Sequence, residues 1–153
     1  MALFLVQHGT SVPKEIDPDC PLTDDGHATV ERIARNAAGH NIEVDLIRHS
    51  GKTRARQTAD IMAYFLKPPG GVQEASGLDP LDDVALAAKG LPGAENVMLV
   101  GHLPFMERLV SYLITGSADR TVVKFQNGGI IRLDRAPETG VWFIKWTLMP
   151  EID

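Results

Sequence analysis

Three polar clusters stand directly behind apolar runs, and each holds a side chain able to attack, grip or protonate a charged group. Gln7-His8-Gly9 closes the run that starts at Ala2; Arg48-His49-Ser50, with Lys52, Arg54 and Arg56, follows Val44 to Ile47; Gly101-His102 follows Val97 to Val100. A neutral imidazole carries one lone-pair nitrogen and one N–H, so it serves as a nucleophile, a proton carrier or a donor to an anion. A glycine beside it keeps bulk away and lets a substrate approach closely. The stretch from Leu46 to Ala59 has four basic residues and no acidic one, inside a chain of net charge −5. Because the arginine fork matches phosphate oxygens, a local cationic cluster of this kind suits a phosphoryl group.

The elements that must position these groups follow from the hydrophobic pattern. Ala2 to Gln7 is continuously apolar up to its last residue, as expected of a central strand buried on both faces. Thr23 precedes Asp24 and Asp25 as a helix N-cap, and Val30, Ile33, Ala34 and Ala37 recur at helical spacing up to Gly39. Val44 to Ile47 predicts a second strand, and the stripe Ala55, Ala59, Met62, Phe65 and Leu66 predicts a helix from Lys52 to Leu66, closed by Pro68 and Pro69. Asp82 to Ala88 reads as a short helix, Val97 to Val100 as a third strand, and Pro104 as the first residue of a helix carrying Met106, Leu109, Val110 and Leu113. Beyond it, Val122 to Gln126 and Ile130 to Leu133 flank Asn127-Gly128, a signal for a tight hairpin. Val141 to Leu148 alternates, which puts Trp142, Ile144 and Trp146 on one strand face, as core, and Phe143 and Lys145 on the other. The expected fold class is therefore α/β: a three-layer α/β/α sandwich with a mostly parallel central sheet and an antiparallel edge. Ligands in such sheets bind beyond the carboxyl ends of the strands, where His8, Arg54 and His102 fall.

The motifs LVQHGT, SGKTRARQTA and MLVGHLP, in this order at successive strand ends, resemble the histidine phosphatase superfamily, also called phosphoglycerate-mutase-like. The resemblance covers nearly the whole chain and, with PLTDDG after the first motif, is greatest to bacterial phosphohistidine phosphatases of the SixA type. It implies that His8 is the catalytic nucleophile, that Arg54 binds phosphate, and that His102 completes the pocket. Gln7 and Gly9 of the first motif would then also lie against the phosphate. One position departs from the pattern: the first motif usually reads Arg-His-Gly, and Gln7 stands where that arginine would be. A glutamine amide donates hydrogen bonds but brings no positive charge. Arg48, Lys52 and Arg56 are the candidates to supply the missing cation.

The implied reaction is attack of the unprotonated His8 nitrogen on phosphorus, giving a phosphohistidine that water hydrolyses. Esters need a carboxylic acid to protonate the leaving alkoxide. Glu74, Asp79, Asp82 and Asp83 are the candidates here, and none sits in a recognisable motif. A phosphohistidine leaves more easily, since imidazole titrates near 6.5. The expected substrate is thus phosphohistidine on a signalling or phosphotransfer protein, with a small phosphomonoester as a variant. The competing reading is a non-catalytic module that binds phosphate or a phosphorylated partner, since Gln7 removes one charge.

Composition bounds the rest. The 153 residues, 44% of them hydrophobic, amount to a single domain over residues 1–153, with a core that needs no disulfide. The lone Cys20 has no partner, and MALFLV has no basic segment before its short apolar run, so the expected compartment is the cytoplasm. The apolar stretch from Leu109 to Ala118 is well short of the ~20 residues that span a bilayer, and the acidic balance argues against nucleic acid. No His-Glu-x-x-His and no paired cysteines occur, so neither a metal nor another cofactor is expected. Ser50 lacks the Gly-x-Ser-x-Gly turn of a serine nucleophile, and nothing demands more than a monomer.

Overall fold

The computed structural model describes residues 1–91, 93 and 95–152. Six strands form one mixed sheet: β1 (Ala2–Gln7), β2 (Leu46–His49), β3 (Val72–Glu74), β4 (Val97–Gly101), β5 (Ile130–Arg135) and β6 (Trp142–Leu148), in the order β3-β2-β4-β1-β5-β6. The first four are mutually parallel, whereas β5 runs antiparallel to both β1 and β6. Helices α1 (Asp24–Gly39) and α2 (Thr53–Leu66) pack together over one face; α3 (Val84–Lys89) and α4 (Phe105–Thr115) pack over the other. This is the three-layer α/β/α arrangement that the alternating pattern implies.

The strand β1 is buried along its whole length, because β4 and β5 flank it and a helical layer covers each face. Its even-numbered residues Phe4 and Val6 enter the core under α1 and α2, and Leu3 and Leu5 enter the core under α3 and α4. Thr23 caps α1, its hydroxyl accepting the Gly26 N–H at 2.9 Å. A side chain at Gly26 would run into the Thr10 carbonyl, so this glycine lets the loop after β1 lie directly on α1.

Four expectations are corrected. No strand forms over Val122 to Gln126, and no hairpin forms at Asn127-Gly128. The segment instead runs along α4, where the Phe125 N–H donates to Glu107 at 2.8 Å, and the turn folds back onto the end of β1. The antiparallel hairpin is β5–β6. Trp142 and Trp146 do not share a face either. A β-bulge between Arg132 and Leu133 pairs Arg132 with Trp146 and Leu133 with Ile144, so Lys145 is an extra residue and the alternation is reversed beyond it. Trp146 consequently packs against Phe4, ring centroids 6.0 Å apart, while Trp142 belongs to the opposite core under Arg135. Finally, the short strand β3, which the Pro-Gly run had hidden, adds an edge beside β2. The second strand is also two residues later than expected, at Leu46 to His49.

Candidate active site

The parallel register of β1 and β4 pairs Gln7 with Gly101, and the next residue on each strand is a histidine. Neighbouring strands lie about 4.8 Å apart. His8 and His102, 94 positions apart in the chain, therefore end side by side, with ring centroids 5.1 Å apart and planes tilted by 55°. On the far side of β4, β2 pairs His49 with Val100, which delivers Ser50 to the flank of His102. The chain then turns into α2, whose first turn returns Arg54 over His8.

The hydrogen bonds of His8 define its tautomer. Nδ1 lies 2.7 Å from the Gly9 carbonyl, which only accepts, so Nδ1 carries the proton. Nε2 then keeps its lone pair, and the Arg54 Nε–H donates to it at 3.3 Å. Burial depresses the His8 pKa most, and the Arg54 charge lowers it further against the opposing effect of the Gly9 carbonyl. The ring is thus held neutral with a nucleophilic nitrogen facing a guanidinium. A dianionic phosphoryl group would compete for that guanidinium far better than a neutral ring does, and such a group would uncover the lone pair.

His102 is 1% exposed, and its Nε2 lies 2.6 Å from Ser50 Oγ. Burial, with His8, Arg54 and Lys52 nearby, pushes its pKa down to about 3. No hydrogen-bond partner meets its buried Nδ1, nor the Oε1 of Gln7, which is 8% exposed. Polar atoms left without a partner in a buried setting are costly.

Gly9 is placed differently from the phosphate contact expected of it. Its N–H is taken by Thr58 Oγ1 at 3.0 Å and its carbonyl by His8, so it contributes tautomer control rather than an amide for an anion. A Cβ there would lie 2.7 Å from Val30 Cγ2, so the close packing itself calls for glycine. The candidate acids do not reach the two imidazoles. Asp82 accepts the Asp79 N–H at 2.8 Å, Asp83 caps α3 through Ala85 N–H at 2.9 Å, and Asp79 is exposed. Glu74 lies at the exposed end of β3 against Gly51.

Three residues of the site escape the sequence reading. Ser50, considered only as a nucleophile, braces His102. Thr58 ties the first motif to α2, its hydroxyl donating to the Arg54 carbonyl at 2.8 Å while accepting from Gly9. Asn127, read as a hairpin residue, donates its side-chain N–H to the His8 carbonyl at 3.1 Å, beside the Gly128 N–H. Only the spacing of Ser50 and Thr58, four residues to either side of Arg54, carried any signal. For Ser50→Ala we expect kcat/KM to fall about 10-fold, the effect of one lost orienting hydrogen bond, with Ser50→Thr restoring most of it. Steady-state kinetics on both variants, alongside an unchanged Tm, check this.

The doubly covered, mostly parallel sheet makes this an α/β protein with two imidazoles and a guanidinium gathered at its strand ends, where ligands of such sheets bind. The Histidine phosphatase superfamily (branch 1) matches residues 3–82, and this chain belongs to that superfamily. Phosphohistidine phosphatase SixA of Escherichia coli (strain K12) is 27% identical over 158 residues, spanning 98% of this chain and 94% of that protein. The structure of the protein histidine phosphatase SixA complexed with tungstate is 24% identical and superposes with a TM-score of 0.82 over 98% of this chain and 97% of the other. Phosphoserine phosphatase from Entamoeba histolytica, solved with 3-phosphoglyceric acid, shares the fold at 15% identity and a TM-score of 0.74, covering 95% of each chain. Among the described residues, no helix is long and apolar enough to cross a membrane.

Proposed function

We propose that this chain is a metal-independent phosphatase that works through a phosphohistidine at His8, with phosphohistidine on a protein as its substrate. The observation that carries the reading is the His8 ring: its proton is fixed at Nδ1 by Gly9, and its free Nε2 faces Arg54 beside His102. In the first step the Nε2 lone pair attacks phosphorus in line, the bond to the leaving imidazole breaks, and that imidazole departs neutral once its other nitrogen is protonated. In the second step water attacks the phosphoenzyme and His8 leaves. Arg54 grips the equatorial oxygens, where transition-state charge is spread, and the neutral His102 ring completes the site beside His8, 5.1 Å between ring centroids.

Substrate class follows from the leaving group. Among the described residues, the four candidate acids are exposed or engaged in local capping, and none hydrogen-bonds either imidazole. An alkoxide would leave without a proton donor, whereas an imidazole needs less help. The likeness to SixA, itself a phosphohistidine phosphatase, over nearly the whole chain supports the same choice. A protein substrate and a monomeric cytoplasmic enzyme are the finer parts of this reading. The test is hydrolysis in the presence of a chelator. Protein-bound phosphohistidine should turn over, and at a higher kcat/KM than an alkyl phosphate of similar charge; faster hydrolysis of the alkyl ester would overturn the substrate assignment.

A further inference from the structure

His49, 5% exposed at the end of β2, is a buried imidazole that touches neither His8 nor the phosphoryl chemistry. Side chains alternate along β2, so Arg48 turns to the α3 side, where it lines a hollow with Ser76, Asp82 and Asp83, and His49 turns to the α2 side. There its Nδ1 accepts the Gly51 N–H at 3.0 Å, so Nδ1 holds a lone pair and the proton of the neutral ring is on Nε2. The contact closes a tight turn of backbone. Gly51 lies at φ +91°, in the region that favours glycine, and a Cβ there would lie 2.6 Å from Glu74 Oε1. The residues on either side of this amide lead into the site. Ser50 Oγ lies 2.6 Å from His102 Nε2 and accepts the Lys52 N–H at 3.4 Å; Lys52 is the N-cap of α2, two residues before Arg54, which donates to His8.

We propose that His49 is a positioning residue of the reaction: its neutral ring, by accepting the Gly51 amide, fixes the turn that sets Ser50 against His102 and Arg54 over His8. The ring makes with its own chain the contact that an asparagine makes in an Asx turn, an acceptor held two residues before an amide. That acceptor exists only while Nδ1 is unprotonated, so a proton on His49 removes the contact. The charged groups acting on the ring are Asp60 and Arg56 of α2 and Glu74 of β3, while β4 places the apolar Val100 opposite it. Burial lowers the His49 pKa against the pull of the two carboxylates, which keeps the acceptor in place at neutral pH.

This proposal rests on the phosphatase reading, and its test separates the two. His49→Leu and His49→Gln, the first without an acceptor and the second with one a methylene too far out, should lower kcat/KM about 10-fold, the effect of one lost orienting hydrogen bond. His49→Asn, whose Oδ1 reaches the same amide, should stay within about 3-fold of the parent. The Gly51 amide proton, followed by NMR without substrate, should move upfield as His49 is protonated in the parent and hold its position in His49→Asn. Full kcat/KM in His49→Leu, a loss in His49→Asn as large as that in His49→Gln, or a Gly51 amide that ignores the protonation of His49 overturns the proposal. Should His49→Leu fail to fold, the Asn and Gln variants decide alone, since both are neutral amides that differ in the reach of the acceptor, and equal rates refute the assignment. If His8→Ala keeps full activity, the phosphatase reading falls instead, and the Gly51 amide still reports on the turn.

Discussion

Replacing His8 by alanine is expected to lower kcat/KM by about 10⁴-fold or more, the scale seen when a covalent nucleophile is removed from an otherwise intact site. The loss should be this large because the other imidazole, His102, is 1% exposed and tied to Ser50 through Nε2, so it is a poor substitute as nucleophile. The folded state should survive, since His8 is only partly buried and its ring makes one hydrogen bond to a neighbouring carbonyl and one from Arg54. A rapid quench into alkaline denaturant during turnover of the parent protein should trap a base-stable, acid-labile phosphoenzyme that the variant lacks. The pH dependence follows from the direction of the shift. A pKa lowered below the ordinary 6.5 keeps the attacking nitrogen unprotonated to lower pH, so kcat/KM holds at neutral pH and declines only as pH falls through the lowered value. His102, at about 3, remains neutral across the working range and adds no limb near neutrality. A full rate in His8→Ala, or an acid limb above 6.5, contradicts this mechanism.

Arg54→Ala should be the next most damaging change, at about 10²- to 10⁴-fold in kcat/KM, because a forked cation makes two charged hydrogen bonds of roughly 1.5–3 kcal/mol each to a phosphoryl group. The effect should fall on kcat as well as KM, since charge on the equatorial oxygens is spread differently in the transition state than in the substrate. Arg54→Lys should restore only part, for lysine offers charge without the planar fork. A second signature separates this role from a purely structural one. Arg54 lowers the His8 pKa, so its removal should move the acid limb of the pH profile to higher pH, while burial of the ring persists and limits the move. A titration of His8 by NMR in the two proteins reads this directly. An unmoved His8 pKa, or a loss confined to KM, would mean that Arg54 does not face the reacting atoms.

How much of this was legible before folding depends on the range of the interaction. The apolar run of β1, the Thr23 cap, the stripes of α1 and α2 and the order of the three histidine and arginine motifs are local patterns, and each appears in the fold within a few residues of where periodicity places it. The segment around Asn127 and the two tryptophans were misread because their conformations are set by partners far away. Asn127 and Gly128 turn toward the end of β1, which offers the His8 carbonyl, and one bulged residue in β6 reverses a face that local alternation cannot reveal.

The same distinction runs through the site. Residue types and spacing pointed to histidines at strand ends and to a cationic cluster after the second strand suited to a phosphoryl group, and the resemblance of the motifs implied imidazole attack, because chemistry is written in side chains and strand ends are read from short apolar runs. Which groups meet, and which imidazole nitrogen is free, depended on three-dimensional neighbours: the in-register pairing of Gln7 with Gly101, the Gly9 carbonyl beneath Nδ1, and the alternation along β2 that turns Arg48 toward α3 and His49 toward α2. Hydrogen bonds and charge act over a few ångströms of space, and residues that lie 46 or 94 positions apart along the chain come within that range only once the sheet has formed.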